Sequence, residues 1–202
     1  MLDGKNKSIN EQIIILEKIL KKNLKIMSIL KALENYSKEN PSFTDYYLAA
    51  GCINQTVFNY YHNQELNAHI KDYDIVYFDE DTSYEAEDKI IKEITKRLEN
   101  LDVSFDIKNQ KRVPIWYKEK YGIEKKDCQN VEEAISRMGA TITCIGVRLE
   151  GKKLIVVCPY GLNDLFLMKI RLVSTEYDKN IFLKKCQHWQ ECWPKLKVID
   201  DN

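Results

Sequence analysis

Two aspartates stand at positions i and i+2 of an apolar, aromatic run, Lys71-Asp72-Tyr73-Asp74-Ile75-Val76-Tyr77-Phe78-Asp79. No other stretch restricts the fold of this chain as much. The run reads as a β-strand, whose two-residue period puts Asp72 and Asp74 on one face. Carboxylates held side by side repel each other unless a cation, a proton or a basic group stands between them. Upstream, Ala49-Ala50-Gly51-Cys52 is a small-residue turn and residues 53–62 read as a helix. The order is turn, helix, Asp-x-Asp strand, and a hard, oxygen-seeking cation such as Mg²⁺ suits the pair.

The 202 residues suffice for one substantial domain, with or without an appended helical segment. Lys+Arg and Asp+Glu both number 31, and this neutrality disfavours a dedicated nucleic-acid binder, which would carry a basic excess. No apolar run approaches the roughly 20 residues that span a bilayer. Met1-Leu2-Asp3-Gly4-Lys5 lacks the apolar core of a secretory signal, so the expectation is a cytoplasmic protein with no membrane partner. Six cysteines without a C-x-x-C pair read as reduced thiols. Cys186-x-His188-x-x-x-Cys192 has helical offsets that do not share a face, which argues against zinc. His62, His69 and His188 fit no triad or metal pattern.

Along the chain, Ile13, Leu16, Leu20, Leu24, Met27 and Leu30 form a helical stripe over residues 9–37, ended by Asn40-Pro41-Ser42. Lys18, Lys21, Lys22 and Lys25 lie mostly off the stripe, as a solvated face. Strands are expected over residues 44–50, 70–78 and 101–108. A helix capped by Ser83 runs to about Glu99. A short helical region follows Lys108-Asn109-Gln110-Lys111-Arg112, and another spans Glu132 to Met138 before Gly139. Thr141–Leu149 and Lys153–Val157 read as a hairpin through Glu150-Gly151-Lys152. A short helix follows Pro159–Leu165, with Asp164 as its cap, and a longer one covers residues 178–193. The expectation is an α+β protein with a mixed sheet flanked by helices: a helical segment over residues 1–40 packed on a domain of residues 41–202.

Strand, Gly turn, helix, Asp-x-Asp strand, helix and a third strand carrying Asp106 form an order with chemical meaning. Phosphoryl and nucleotidyl transfer depend on positioning and charge neutralisation, which metal-holding carboxylates and a helix N-terminus supply. The motifs around Gly51-Cys52-Ile53, Asp72-x-Asp74, Lys108-Asn109-Gln110-x-Arg112, Thr143-x-x-Gly146-Val147-Arg148 and Pro159-Tyr160-Gly161 resemble a bacterial nucleotidyltransferase-like family. That family belongs to the DNA polymerase β-type nucleotidyltransferase superfamily and is similar in fold to the head domain of CCA-adding enzymes. The resemblance covers roughly residues 44–196. It implies a polymerase β-like palm in which Asp72, Asp74 and Asp106 hold Mg²⁺ or Mn²⁺ and Asp106 assists deprotonation of an acceptor hydroxyl. It also implies that Gly51 and Cys52 cradle phosphate, although Cys52 stands where the superfamily has serine, and a thiol is a weak donor. The longer path from Gly51 to Asp72 places an inserted turn around residues 62–69. Val113-Pro114 stands where the family continues toward a histidine.

Lys108, Arg112 and Arg148 are candidates for triphosphate contacts, since Arg binds phosphate in a bidentate manner. Asn109 and Gln110 either read a base edge or form a polar turn. Trp189 and Trp193 are a hydrophobic lid or a stacking platform. The expected activity is metal-dependent transfer of a nucleoside monophosphate from an NTP to a hydroxyl on a small molecule, a protein or an RNA end. The alternative is an inactive nucleotide- or partner-binding module of the same fold, an antitoxin-like protein included.

Overall fold

The computed structural model describes residues 2–122, 124–173 and 179–199. Two helices open the chain where the apolar stripe reads as one: α1, Ile9–Leu20, and α2, Leu24–Glu39. Ser8 and Glu11 form a reciprocal capping box on α1. The break falls at Asn23, whose Oδ1 accepts from the Ile26 N–H at 3.2 Å and caps α2. Its amide donates to Thr56 Oγ1 at 3.0 Å, which ties the break to the helix beneath. Leu24, counted in the expected stripe, is exposed at the start of α2, and Ile26, Ile29, Leu30 and Leu33 carry the buried face onward.

Strand β1, Asp45–Ala49, leads into α3, Gly51–His62, and then β2, Asp72–Phe78. Helix α4, Tyr84–Arg97, connects β2 to β3, Ser104–Asn109. Helices α5, Val113–Tyr121, and α6, Val131–Ser136, precede the hairpin of β4, Gly146–Glu150, and β5, Lys153–Val157. The chain ends through α7, Asn163–Leu167, β6, Lys169–Ile170, α8, Lys179–Cys192, and β7, Lys197–Val198. The sheet order is β3-β2-β1-β4-β5, with β2 and β3 parallel and the other neighbours antiparallel. This is the mixed sheet flanked by helices that the sequence leads one to expect.

The pleat sorts the strands onto two unequal layers. One face carries Tyr46, Leu48, Tyr73, Ile75, Tyr77 and Ile107, which join the large core that includes Leu16, Ile19, Leu30 and Leu33 of α1 and α2. The N-terminal helices therefore share the main core; each such side chain contributes about 1.5–3 kcal/mol by leaving water. The opposite face has a small cluster, Tyr47, Ala49 and Val76 under Val131 and Ile135 of α6. Asp72, Asp74 and Asp106 belong to this thinly covered face.

Several boundaries depart from expectation. Residues 141–145 form a turn instead of strand, because Thr143 Oγ1 donates to Met138 O at 2.6 Å and accepts from the Ala140 N–H at 3.1 Å. Position 178, the first of the last expected helix, lies outside the described residues. The two-residue pairing of β6 with β7 is too short to leave a period in the sequence. Residues 63–69 form a turn-rich connection, organised by Asn59, whose amide donates to Leu66 O at 3.1 Å and Ala68 O at 2.8 Å.

Candidate active site

The parallel register of β2 and β3 sets Asp74 directly beside Asp106, and Asp72 lies two residues earlier on the same face. The pairing that sequence could not supply thus gathers the three carboxylates at one end of the sheet. Burial, then the charges of Asp72 and Asp106, push the Asp74 carboxyl up from 3.8 to about 7, with partial relief from Lys108 and Lys185.

Helix α3 begins against this cluster. Ala50 precedes it with φ 55° and ψ −125°, a conformation that costs a residue bearing a Cβ. Its N–H donates to Ile145 O at 2.9 Å, which holds the turn. Gly51 follows where space is short: a Cβ there would lie 3.0 Å from Gln55 Nε2 and 3.9 Å from Asp74 Oδ2. The Ile53 and Asn54 N–H groups already donate to Ala50 O, so those of Gly51 and Cys52 are the helix-start donors without an intrahelical acceptor. The Cys52 side chain takes no part in such a cradle. It is fully buried and its thiol donates to Ala49 O at 3.3 Å. Burial, and then Asp74, push that thiol well above its ordinary range.

A cavity of about 570 Å³ opens from Ala50, Gly51, Asp72 and Asp74. Gln55 and Gln110 also face it, and Gln55 Oε1 is a buried acceptor without a partner among the described residues. Phe182, Trp189 and Trp193 of the α8 region form an apolar wall. Trp193 is structural, since its indole N–H donates to Asn59 Oδ1 at 2.7 Å deep in the core.

The cationic candidates fare differently. Lys108 binds Asp106, Nζ to Oδ2 at 2.5 Å, and stands 5.6 Å over the Trp116 ring. Arg112 is engaged away from the carboxylates. It forms a largely buried ion pair with Glu87, and its Nε donates to Thr82 O at 3.2 Å. Asn109 is likewise engaged: it is buried, with its amide donating to Asp79 O and Asp81 O and its oxygen accepting from the Asp79 and Lys111 N–H groups. Its side chain is spent on the loop after β2 and on the turn that follows β3. Arg148 shares the sheet face but lies beyond β1, stacked 4.9 Å over Tyr47 and donating to Glu150 at 2.7 Å. It does not line the cavity. Asp164 sits inside α7 instead of capping it, and binds Thr141 and Arg171.

The cations that do line the cavity, Lys71, Lys125, Lys126, Arg137 and Lys185, were not legible in advance. They come from separate segments, and only the i, i+4 spacing of Lys185 and Trp189 hinted at a shared purpose; that ammonium stands 5.1 Å over the ring.

Three hard-oxygen carboxylates, one of them raised by burial and then by its two acidic neighbours, are a donor set that fits a divalent cation such as Mg²⁺. Among the described residues no three His, Cys, Asp or Glu side chains converge as they stand on one ion; Lys108 takes up an oxygen of Asp106 instead.

Comparison with known proteins agrees with this geometry. Residues 39–198 match the model of a family described as nucleotidyltransferase. A solved structure described as "The NMR structure of the protein reveals a CCA-adding enzyme head domain" superposes with a TM-score of 0.72. It shares 23% identity and covers 98% of this chain and 100% of its own, a likeness of fold. A search of curated proteins found no match.

Proposed function

Because the chain belongs to the nucleotidyltransferase family, we propose that it transfers a nucleoside monophosphate from an NTP to a hydroxyl acceptor in a Mg²⁺- or Mn²⁺-dependent reaction. The observation that carries this reading is the Asp74–Asp106 register beside the start of α3. Asp72, Asp74 and Asp106 hold the metal, and the Gly51 N–H at the start of α3 meets a phosphate oxygen, whereas Cys52 is fully buried and does not line the cavity. When bound, the cation supplies charge neutralisation at the α-phosphate and leaving pyrophosphate and eases deprotonation of the acceptor. The acceptor oxygen bonds to the α-phosphorus, the bond to pyrophosphate breaks, and the hydroxyl proton passes to Asp106. Asp74 and Asp106 are half-buried, which makes charge interactions there stronger than in water, while Asp72 is exposed.

Titration calorimetry with Mg²⁺ and each NTP tests the binding part. Nucleotide should bind with Mg²⁺ and lose at least tenfold in affinity on Asp72→Ala or Asp74→Ala. Metal-independent binding that both variants leave unchanged would contradict the assignment.

A further inference from the structure

The sheet face that carries the three aspartates also carries an ammonium group. In the parallel register Asp106 stands beside Asp74 and Lys108 beside Val76. Asp72 and Asp74 of β2 and Asp106 and Lys108 of β3 therefore share one side of the sheet. Lys108 reaches back two residues along its own strand, Nζ to Asp106 Oδ2 at 2.5 Å. The Trp116 ring of α5, 5.6 Å from that nitrogen, backs the ammonium. Its charge extends to Asp74, where it offsets part of the upward push from Asp72 and Asp106.

An ammonium and a divalent cation compete for a carboxylate, because both are positive and both take the same oxygen lone pairs. Among the described residues the three aspartates do not converge on one ion as they stand, and the ammonium on Asp106 accounts for it. Both side chains of the pair are 37% exposed, so the lysine can leave for solvent without burying an unpaired charge. A point charge on a flexible stem gives up its partner more readily than the fork of an arginine.

Resting on the metal-dependent transfer proposed above, we propose that Lys108 is a positioning residue that holds Asp106 as an internal counter-ion and competes with the divalent cation for it. It sets how much Mg²⁺ or Mn²⁺ the site needs. Asp106 joins Asp72 and Asp74 only when Lys108 swings off.

Mn²⁺ without nucleotide is the probe, titrated into the full chain and followed by calorimetry and by the EPR signal of the free ion. Lys108→Met keeps the aliphatic stem beside Trp116 and removes the ammonium. It should bind Mn²⁺ roughly fivefold more tightly than the parent, or better. Lys108→Arg should bind like the parent or more weakly. Lys71→Ala removes an exposed charge from the same cavity and should gain at most about twofold, which separates competition for Asp106 from a general change of field. Adding Asp106→Asn to Lys108→Met should cancel the gain, because the gain runs through Asp106. Thermal melts confirm that each variant folds and give a second readout. In chelator Lys108→Met should melt below the parent, and Mn²⁺ should raise its melting temperature further. Unchanged or weaker Mn²⁺ binding by folded Lys108→Met and Lys108→Gln, or a gain that Lys71→Ala equals, would overturn the role of Lys108. If Asp74→Ala still abolished binding, metal-dependent transfer would stand. Tighter Mn²⁺ binding by Lys108→Met in a protein that transfers no nucleotide would keep the role and remove the enzymatic reading. No Mn²⁺ binding by the parent or any variant would overturn both.

Discussion

Asp74 is where the sequence pattern becomes electrostatics. Its carboxyl is raised from 3.8 to about 7, first by burial and then by Asp72 and Asp106. A carboxyl raised in the folded state lends stability that is fully present below its unfolded value and is lost as pH rises through the folded one. With chelator present, Asp74→Asn should therefore match the parent in urea stability near pH 4. It should exceed the parent by on the order of 2–4 kcal/mol above pH 7. An advantage of the same size at both pH values would contradict the assignment. The two aspartates of β2 were legible because strand parity fixes their common face. The partner of Arg112 was not legible, because a polar run says nothing of it and Glu87 lies a whole element away on α4. Cys52 shows the same limit: its position in the motif is visible, but the direction of its thiol depends on how α3 meets β1.

At the level of elements, α6 and β4 decide how closely the thin face is closed. Gly146 opens β4 beneath α6, and a Cβ there would stand 2.5 Å from Ile135 Cδ1 and 3.1 Å from Tyr47 Cβ. Gly146→Ala should cost about 1–3 kcal/mol, since neighbours packed this tightly cannot yield without strain. A urea titration reads the loss, and a neutral substitution would mean that α6 does not rest on the strand. Strands β1, β2 and β3, helix α4 and the hairpin were readable from period, caps and turn residues. The break at Asn23 was not, because its cause, the bond to Thr56, is tertiary. The turn over residues 141–145 escaped for a related reason. Its β-branched residues favour strand locally, yet Thr143 spends its hydroxyl on the backbone at Met138 and Ala140.

For the whole molecule, the asymmetry of the sheet is what makes a site possible. Helices α1 to α4 contribute to the core on one face, so the other can carry acidic residues under a thin cover without exposing the hydrophobic core. The sheet end, the start of α3 and the α8 wall then enclose one cavity lined by both carboxylates and ammonium groups. Carboxylates on consecutive strands could be read from sequence, whereas the cations opposite them could not, because only the folded chain brings residues 125, 137 and 185 together. Incubation with α-phosphate-labelled NTP, Mg²⁺ and a lysate of the source organism tests the central claim most directly. The account predicts label transferred to an acceptor and a loss of roughly a thousandfold in rate on Asp74→Ala, as expected when several kcal/mol of metal-borne stabilisation is removed. Labelled product formed equally well by Asp74→Ala, or none formed by the parent protein with any NTP, would contradict it.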